Sequence, residues 1–230
     1  MDGALLYDLL SWMSPSYPIG AFSHSGGLEW AVEEGLAVDR ATTQAWVLDW
    51  MTLGGGRSEA RLFAFAHGAA ARGDRDALLE IAELAQAMGT SHERRLETTA
   101  QGAAFRRIAR AAAPCLALTM LDSVDDEDLA YPVVAACLMA GHGAPLDVAL
   151  TAYLHGVVSN LASAAQRLIP LGQTDGQLLI AGLRQPAIEA ARDASLADPA
   201  DPFAAMGQAG LIADFAAMAH ETQYTRLFRT

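Results

Sequence analysis

Lysine is absent from this 230-residue chain, and all 15 of its basic side chains are arginine. A phosphate-cradling P-loop needs its lysine, as does a Schiff-base enzyme, so both mechanisms are excluded. Cysteine is nearly absent too. Cys115 and Cys137 are too few and too isolated for a disulfide framework or a four-cysteine zinc site, and a reducing, cytoplasmic setting is expected. Aromatic residues make up only 7% of the chain, and runs alternating with a period of two are few. Against a hydrophobic content of 52%, rich in alanine, this predicts packed helices. The start, MDGALLYDLL, lacks a cationic n-region, and the apolar stretches near positions 109–121 and 131–140 fall short of the ~20 residues that span a bilayer. Neither a signal peptide nor a membrane span is expected. With 27 acidic residues the formal charge is −12, which disfavours nucleic acid and anionic membranes and leaves basic proteins or cations as partners.

What is present is helical punctuation. A chain of this length buries roughly 70% of its unfolded surface, enough for one all-α domain over 1–230, and the pattern predicts eight to ten helices. A first helix over 5–13 precedes a loop holding Pro15, Pro18 and Gly20. The next starts near Ser23 or Ser25, with Gly26 and Gly27 in its first turn. Thr42 or Thr43 opens a third, and Gly54, Gly55 and Gly56 interrupt it before a run to 71. Asp74 caps the following helix, while Thr90 and Glu93 have capping-box spacing ahead of a long helix to 113. The acidic segment 122–128 suits the positive N-terminus of a helix near Pro132. From Pro145 the apolar residues recur every three or four positions to Ile169, a helix about 37 Å long that is expected to be central. Thr174 and Gln177 form a second capping box, Pro186 interrupts the helix beyond, 197–203 reads as a linker, and a last helix covers 211–224.

Three segments carry more than helical pattern. The single asparagine, Asn160, lies within a helix, where its side chain competes with the backbone for hydrogen bonds. It shares a stripe with Gly156, Ser163 and Arg167, shaped for close approach by another backbone and in need of a polar partner. In the segment SPSYPIGAFSHSGGLE at 14–29, two glycines weaken a helix start where close approach is favoured. Ser23, His24 and Ser25 form no nucleophile elbow there. The segment HETQYTRLFRT at 220–230 combines arginines with Tyr224, Leu227 and Phe228, residue types that dominate interface hot spots.

Together these two segments and SNLASAAQRLIPLGQTDGQ at 159–177 resemble the urease accessory protein family UreF. The order and spacing fit nearly the whole chain, although 57–128 is supported by helical pattern alone. The resemblance implies an all-α protein, commonly a homodimer, in the cytoplasm. Such a protein assembles with the GTPase UreG and with UreD, also called UreH, on apo-urease for GTP-dependent nickel delivery. It is an adaptor without a cofactor of its own, not an enzyme. Carried over to this chain, the tail at 225–230 with Tyr224, Arg226, Leu227, Phe228 and Arg229 docks on the UreD-like partner. The loop with Pro18, Gly20, His24 and Gly26, and the region of Asn160, Ser163, Arg167, Gln173, Asp175 and Gln177, face the GTPase or line the interior of the assembly.

Other readings of the residues remain open at this point. Cys137, His142 and His220 could hold nickel themselves, although no histidines pair at i,i+3 or i,i+4. Asp122, Asp125 and Asp126 resemble the magnesium-diphosphate clusters of helical enzymes, in the wrong order and without a second cluster. Arg167 is the candidate for an arginine finger on a GTPase.

Overall fold

The structure, a computed structural model, describes residues 2–207 and 210–230. Among these the chain forms twelve α-helices and two 3-10 turns, with no strand. The surplus over the expected eight to ten comes from short pieces such as α7 (Leu116–Thr119) and α11 (Pro202–Ala205).

Local chemistry sets most boundaries. Asp39 and Thr42 form a reciprocal capping box at the start of α3 (Arg40–Thr52), so Thr42 lies inside the helix it was expected to open. Gly54 precedes α4 (Gly55–Arg72), and Gly73, in the left-handed region, ends it. Asp74 accepts from Ala77 N and caps α5 (Arg75–Ala87) as expected. At α6 (His92–Ala112) the cap is Ser91, not Thr90. Thr90 donates instead to Asp214, and Glu93 turns inward. The second expected capping box also fails, because α10 (Gln173–Ser195) begins at Gln173 after Gly172 with no side-chain cap. Pro186 sits inside α10.

The acidic segment behaves differently from its sequence reading. No acidic residue lies in the first turn of α8 (Tyr131–Gly141). Asp126 and Asp122 pair with Arg106 and Arg110 of α6, which ties the segment sideways to that helix. The expected dipole contact is thereby replaced by ion pairing.

The most enclosed element is α8, buried from Tyr131 through Met139 and surrounded by α4, α5, α6, α7 and α9. A helix apolar on every side has no solvent face to offer, so it needs this complete wrapping. The long helix α9 (Leu146–Leu168) is the one that meets most neighbours, α1 (Gly3–Trp12), α2 (Leu28–Glu33), α3, α4, α8 and α10. Its buried positions, among them Leu150, Tyr153, Leu154, Val158 and Leu161, recur every three or four residues as the sequence demanded. By length and mean hydropathy α9 could cross a membrane, contrary to the expectation that no stretch would be long enough, but half of that window is buried inside the molecule. A smaller second cluster, with Leu28, Ala31, Ala164, Ala165, Ile169 and Phe228, lies where α2, α9 and the C-terminal tail meet. The last long helix, α12 (Leu211–His220), stops four residues short of its expected end.

Candidate functional site

The tail is bound by a carboxylate. Gly26 and Gly27 have φ of 61° and 85°, and they turn the chain from the 3-10 turn Ala21–Ser23 into α2, so they precede the helix they were expected to begin. A Cβ on Gly27 would also come within 3.1 Å of Ala217 N, so both the backbone sign and the space require glycine. This turn delivers Glu29 into the interior. Its Oε1 accepts from Leu227 N at 2.6 Å and its Oε2 from Phe228 N at 2.9 Å. His220, 0% exposed, lies between two carboxylates, with Nε2 3.0 Å from Glu29 Oε2 and Nδ1 2.6 Å from Glu93 Oε2. Arg226 closes the network on Glu93 Oε1 at 3.0 Å. Two carboxylates, an imidazole and a guanidinium therefore hold positions 220–228 against α2 and α6.

Beyond it the tail runs beside the glycine turn. Arg229 N donates to Ser23 O at 2.8 Å and Ser25 N to Thr230 O at 2.6 Å. His24 Nδ1 is 2.6 Å from Thr230 Oγ1, the roles of donor and acceptor depending on the tautomer. Burial, and then the cations Arg229 and Arg94, push the His24 imidazole down to about 4, which keeps the ring neutral.

Arg167 joins this tail to the loop. Its guanidinium is sandwiched between the rings of Phe22 at 3.7 Å and Phe228 at 4.0 Å, and Nη2 donates to Phe22 O at 2.7 Å. Desolvation lowers its pKa from the ordinary arginine value. A guanidinium stacked on both faces is committed within its own chain, which removes the basis for reading it as an arginine finger.

Next to the stack lies a cavity of about 110 Å³ between the 13–22 loop and α9. Asn160, Ser163 and Gly156 form one wall, so the stripe singled out in the sequence faces this loop. At its floor Arg94 pairs with Glu59 and Glu97, each at 2.6 Å, and Tyr153 donates to Glu59 Oε2 at 2.9 Å. Burial holds the Glu59 carboxyl above its ordinary range, although Arg94 pulls the other way.

The structure thus brings together His24, Gly26, Arg167, Arg226, Phe228 and Arg229 around the tail, and Asn160 and Ser163 at the cavity. His24, Gly26 and Phe228 lie beneath the surface, so they shape it from below and are not themselves offered to a partner. Tyr224, at 103% exposure, and Leu227, at 63%, do project outward. Pro18 and Gly20 sit exposed on the loop. Gln173, Asp175 and Gln177 stand apart on α10, where Asp175 is 3.5 Å from Arg40. The nickel-holding trio is dispersed. Cys137 is fully buried with its thiol pushed up by burial, His142 hydrogen bonds Ala113 O at 3.1 Å, and His220 belongs to the tail network. Among the described residues no group of three or more His, Cys, Asp or Glu is arranged to hold a metal ion. Asp122 and Asp126 are engaged by arginines.

Sequence reasoning missed Glu29 and Glu93 in the tail network, and Glu59, Arg94 and Glu97 under the cavity. Glu29 gave one usable signal, a carboxylate two residues after a pair of glycines at the edge of an apolar turn. Glu93 read as the partner of Thr90 in a local cap, and Glu59, Arg94 and Glu97 look like ordinary helix-surface charges in the sequence.

With this geometry in place, similarity to known proteins is informative. A family model described as UreF matches residues 37–184. A protein of Rhodopseudomonas palustris (strain BisB18) named urease accessory protein UreF is 48% identical, covering 100% of this chain and 93% of that protein. Proteins of the same name from Bradyrhizobium sp. (strain ORS 278) and Bradyrhizobium diazoefficiens are 47% and 45% identical, covering 99% and 100% of this chain and 92% and 93% of their own lengths.

Proposed function

Because the chain belongs to the UreF family, we propose that it acts in urease maturation as a non-catalytic adaptor. In this reading it bridges the UreG GTPase and a UreD-type partner on apo-urease while nickel, the cargo, is inserted in a GTP-dependent step. The observation that carries the proposal is identity of nearly half over the full chain with relatives named urease accessory proteins. A homodimeric, cytoplasmic protein fits the same reading.

The geometry supports the adaptor over an enzyme. The ionic groups at the tail are occupied in holding backbone and each other, which is the work of shaping a surface. Tyr224 and Leu227 stand out from that braced segment, an exposed aromatic and an exposed aliphatic of the kind that anchor interfaces. We assign these two to the UreD-type contact.

Co-expression with apo-urease, UreD and UreG provides the test. Replacing Tyr224→Ala together with Leu227→Ala is expected to weaken complex recovery at least about tenfold, in line with the loss of an interface anchor, and to lower the nickel content of urease in proportion. Unchanged recovery and unchanged nickel loading would remove the tail assignment. Full urease activation in cells lacking this chain would remove the adaptor itself.

A further inference from the structure

The cavity beside α9 has a chemical character that holding the tail does not use. Its floor carries two carboxyl groups, Glu59 and Glu97, around one guanidinium, Arg94, so its acidic groups outnumber the basic one. Its walls are aromatic, with Trp12, Tyr17, Trp50 and Tyr131 among them, and ring faces attract cations. Two polar groups on its lining are placed to meet a ligand. Tyr17 Oη is buried with no hydrogen bond, and the half-buried Asn160 lines the same space. Both can accept a hydrogen bond from an N–H donor.

The volume narrows the choice of ligand. About 110 Å³ holds several waters or a short alkyl chain with its charged end, and is far too small for a nucleotide. A compact cation with an apolar stem would meet the aromatic wall with the stem and the carboxylates with the charge. We propose that this cavity is a binding site for a primary ammonium group. The group donates its three N–H bonds to Glu97, Asn160 Oδ1 and Tyr17 Oη, with the Glu59 carboxyl beside it, while the aromatic rings cover its alkyl portion. Its source is either a lysine of a partner protein or a free short amine. This chain, having no lysine, cannot supply it from its own side chains. Only the lysine source rests on the adaptor reading.

The probe is n-butylammonium chloride, titrated into the isolated chain while tryptophan fluorescence is followed, since Trp12 and Trp50 line the cavity. Sodium chloride at matched ionic strength and n-butanol serve as controls. A saturable change with n-butylammonium alone is expected, and Glu97→Gln is expected to weaken it at least about tenfold, since one charge is lost from a poorly solvated site. Circular dichroism establishes that the variant is folded. An unsaturable response, or the same response to n-butanol, overturns the proposal on the wild-type chain whether or not the variant folds. Competition then separates the sources. If n-butylammonium releases the bound maturation partners, the ligand is a partner lysine, and if they stay bound it is a free amine. Because the titration uses the chain alone, loss of the adaptor reading leaves it intact. Conversely, no saturation alongside normal urease activation removes the cavity site and spares the adaptor.

Discussion

The Glu29 carboxylate serves three hydrogen bonds at once, two from tail amides and one with His220, and both residues are buried. Removing its charge leaves the buried His220 with one carboxylate, Glu93, and weakens both amide bonds. Glu29→Gln is therefore expected to lower stability by about 3 kcal/mol in urea unfolding and to speed exchange of the Leu227 and Phe228 amides. His24 gives a prediction in pH. Its folded value of about 4 lies below the ordinary 6.5, so between those values the unfolded chain binds a proton that the folded chain refuses. Stability is thus complete above pH 6.5 and declines as pH falls toward 4, by up to about 3 kcal/mol from this residue. His24→Gln should flatten the stability profile across that window. A residual slope of the same sign remains from His67, which burial also holds down.

Between elements, α6 and the stretch that leads into α8 approach closely at a glycine. A Cβ on Gly102 would lie 2.0 Å from Leu129 O and 3.0 Å from Tyr131 N, both backbone atoms that cannot swing aside. Gly102→Ala should separate the two segments at a cost of about 2 kcal/mol or more, visible as a lowered midpoint in thermal unfolding with helix content retained. Gly102 carried no mark in the sequence, because it reads as one small residue among several in a helix with good periodicity. Elements of that kind were legible wherever periodicity and punctuation agreed. The helix after Pro145 and the cap at Asp74 are examples. Elements whose termini depend on tertiary partners were not. Thr90 and Glu93 had the spacing of a local cap, yet Asp214 claimed one and His220 with Arg226 the other. The stripe at Asn160 was legible as a surface needing a partner, and the structure sets it across a cavity from a loop of the same chain, with Arg167 alone bonded to that loop, at Phe22 O. The charges beneath it were not legible, since only the fold turns Glu59, Arg94 and Glu97 toward one another.

For the molecule as a whole, two apolar clusters of unequal size imply two levels of stability. The larger contains α4 and α8, whereas the smaller joins α2 and α9 to the tail through Phe228. Phe228→Ala empties the centre of the smaller cluster and removes one face of the Arg167 stack, and is expected to destabilise by about 3 kcal/mol. Hydrogen exchange should show the loss confined to α2 and positions 226–230, with α4 and α8 exchanging as before. Equal acceleration everywhere would mean that the clusters open together.

The completeness with which α8 is wrapped has its own consequence during synthesis. Of the helices around it, α4 to α7 precede it along the chain, but α9 follows it. From the moment the apolar α8 leaves the ribosome until α9 has followed it, one of its walls is missing. Slowing synthesis over that interval should lower the yield of soluble protein more than slowing it elsewhere.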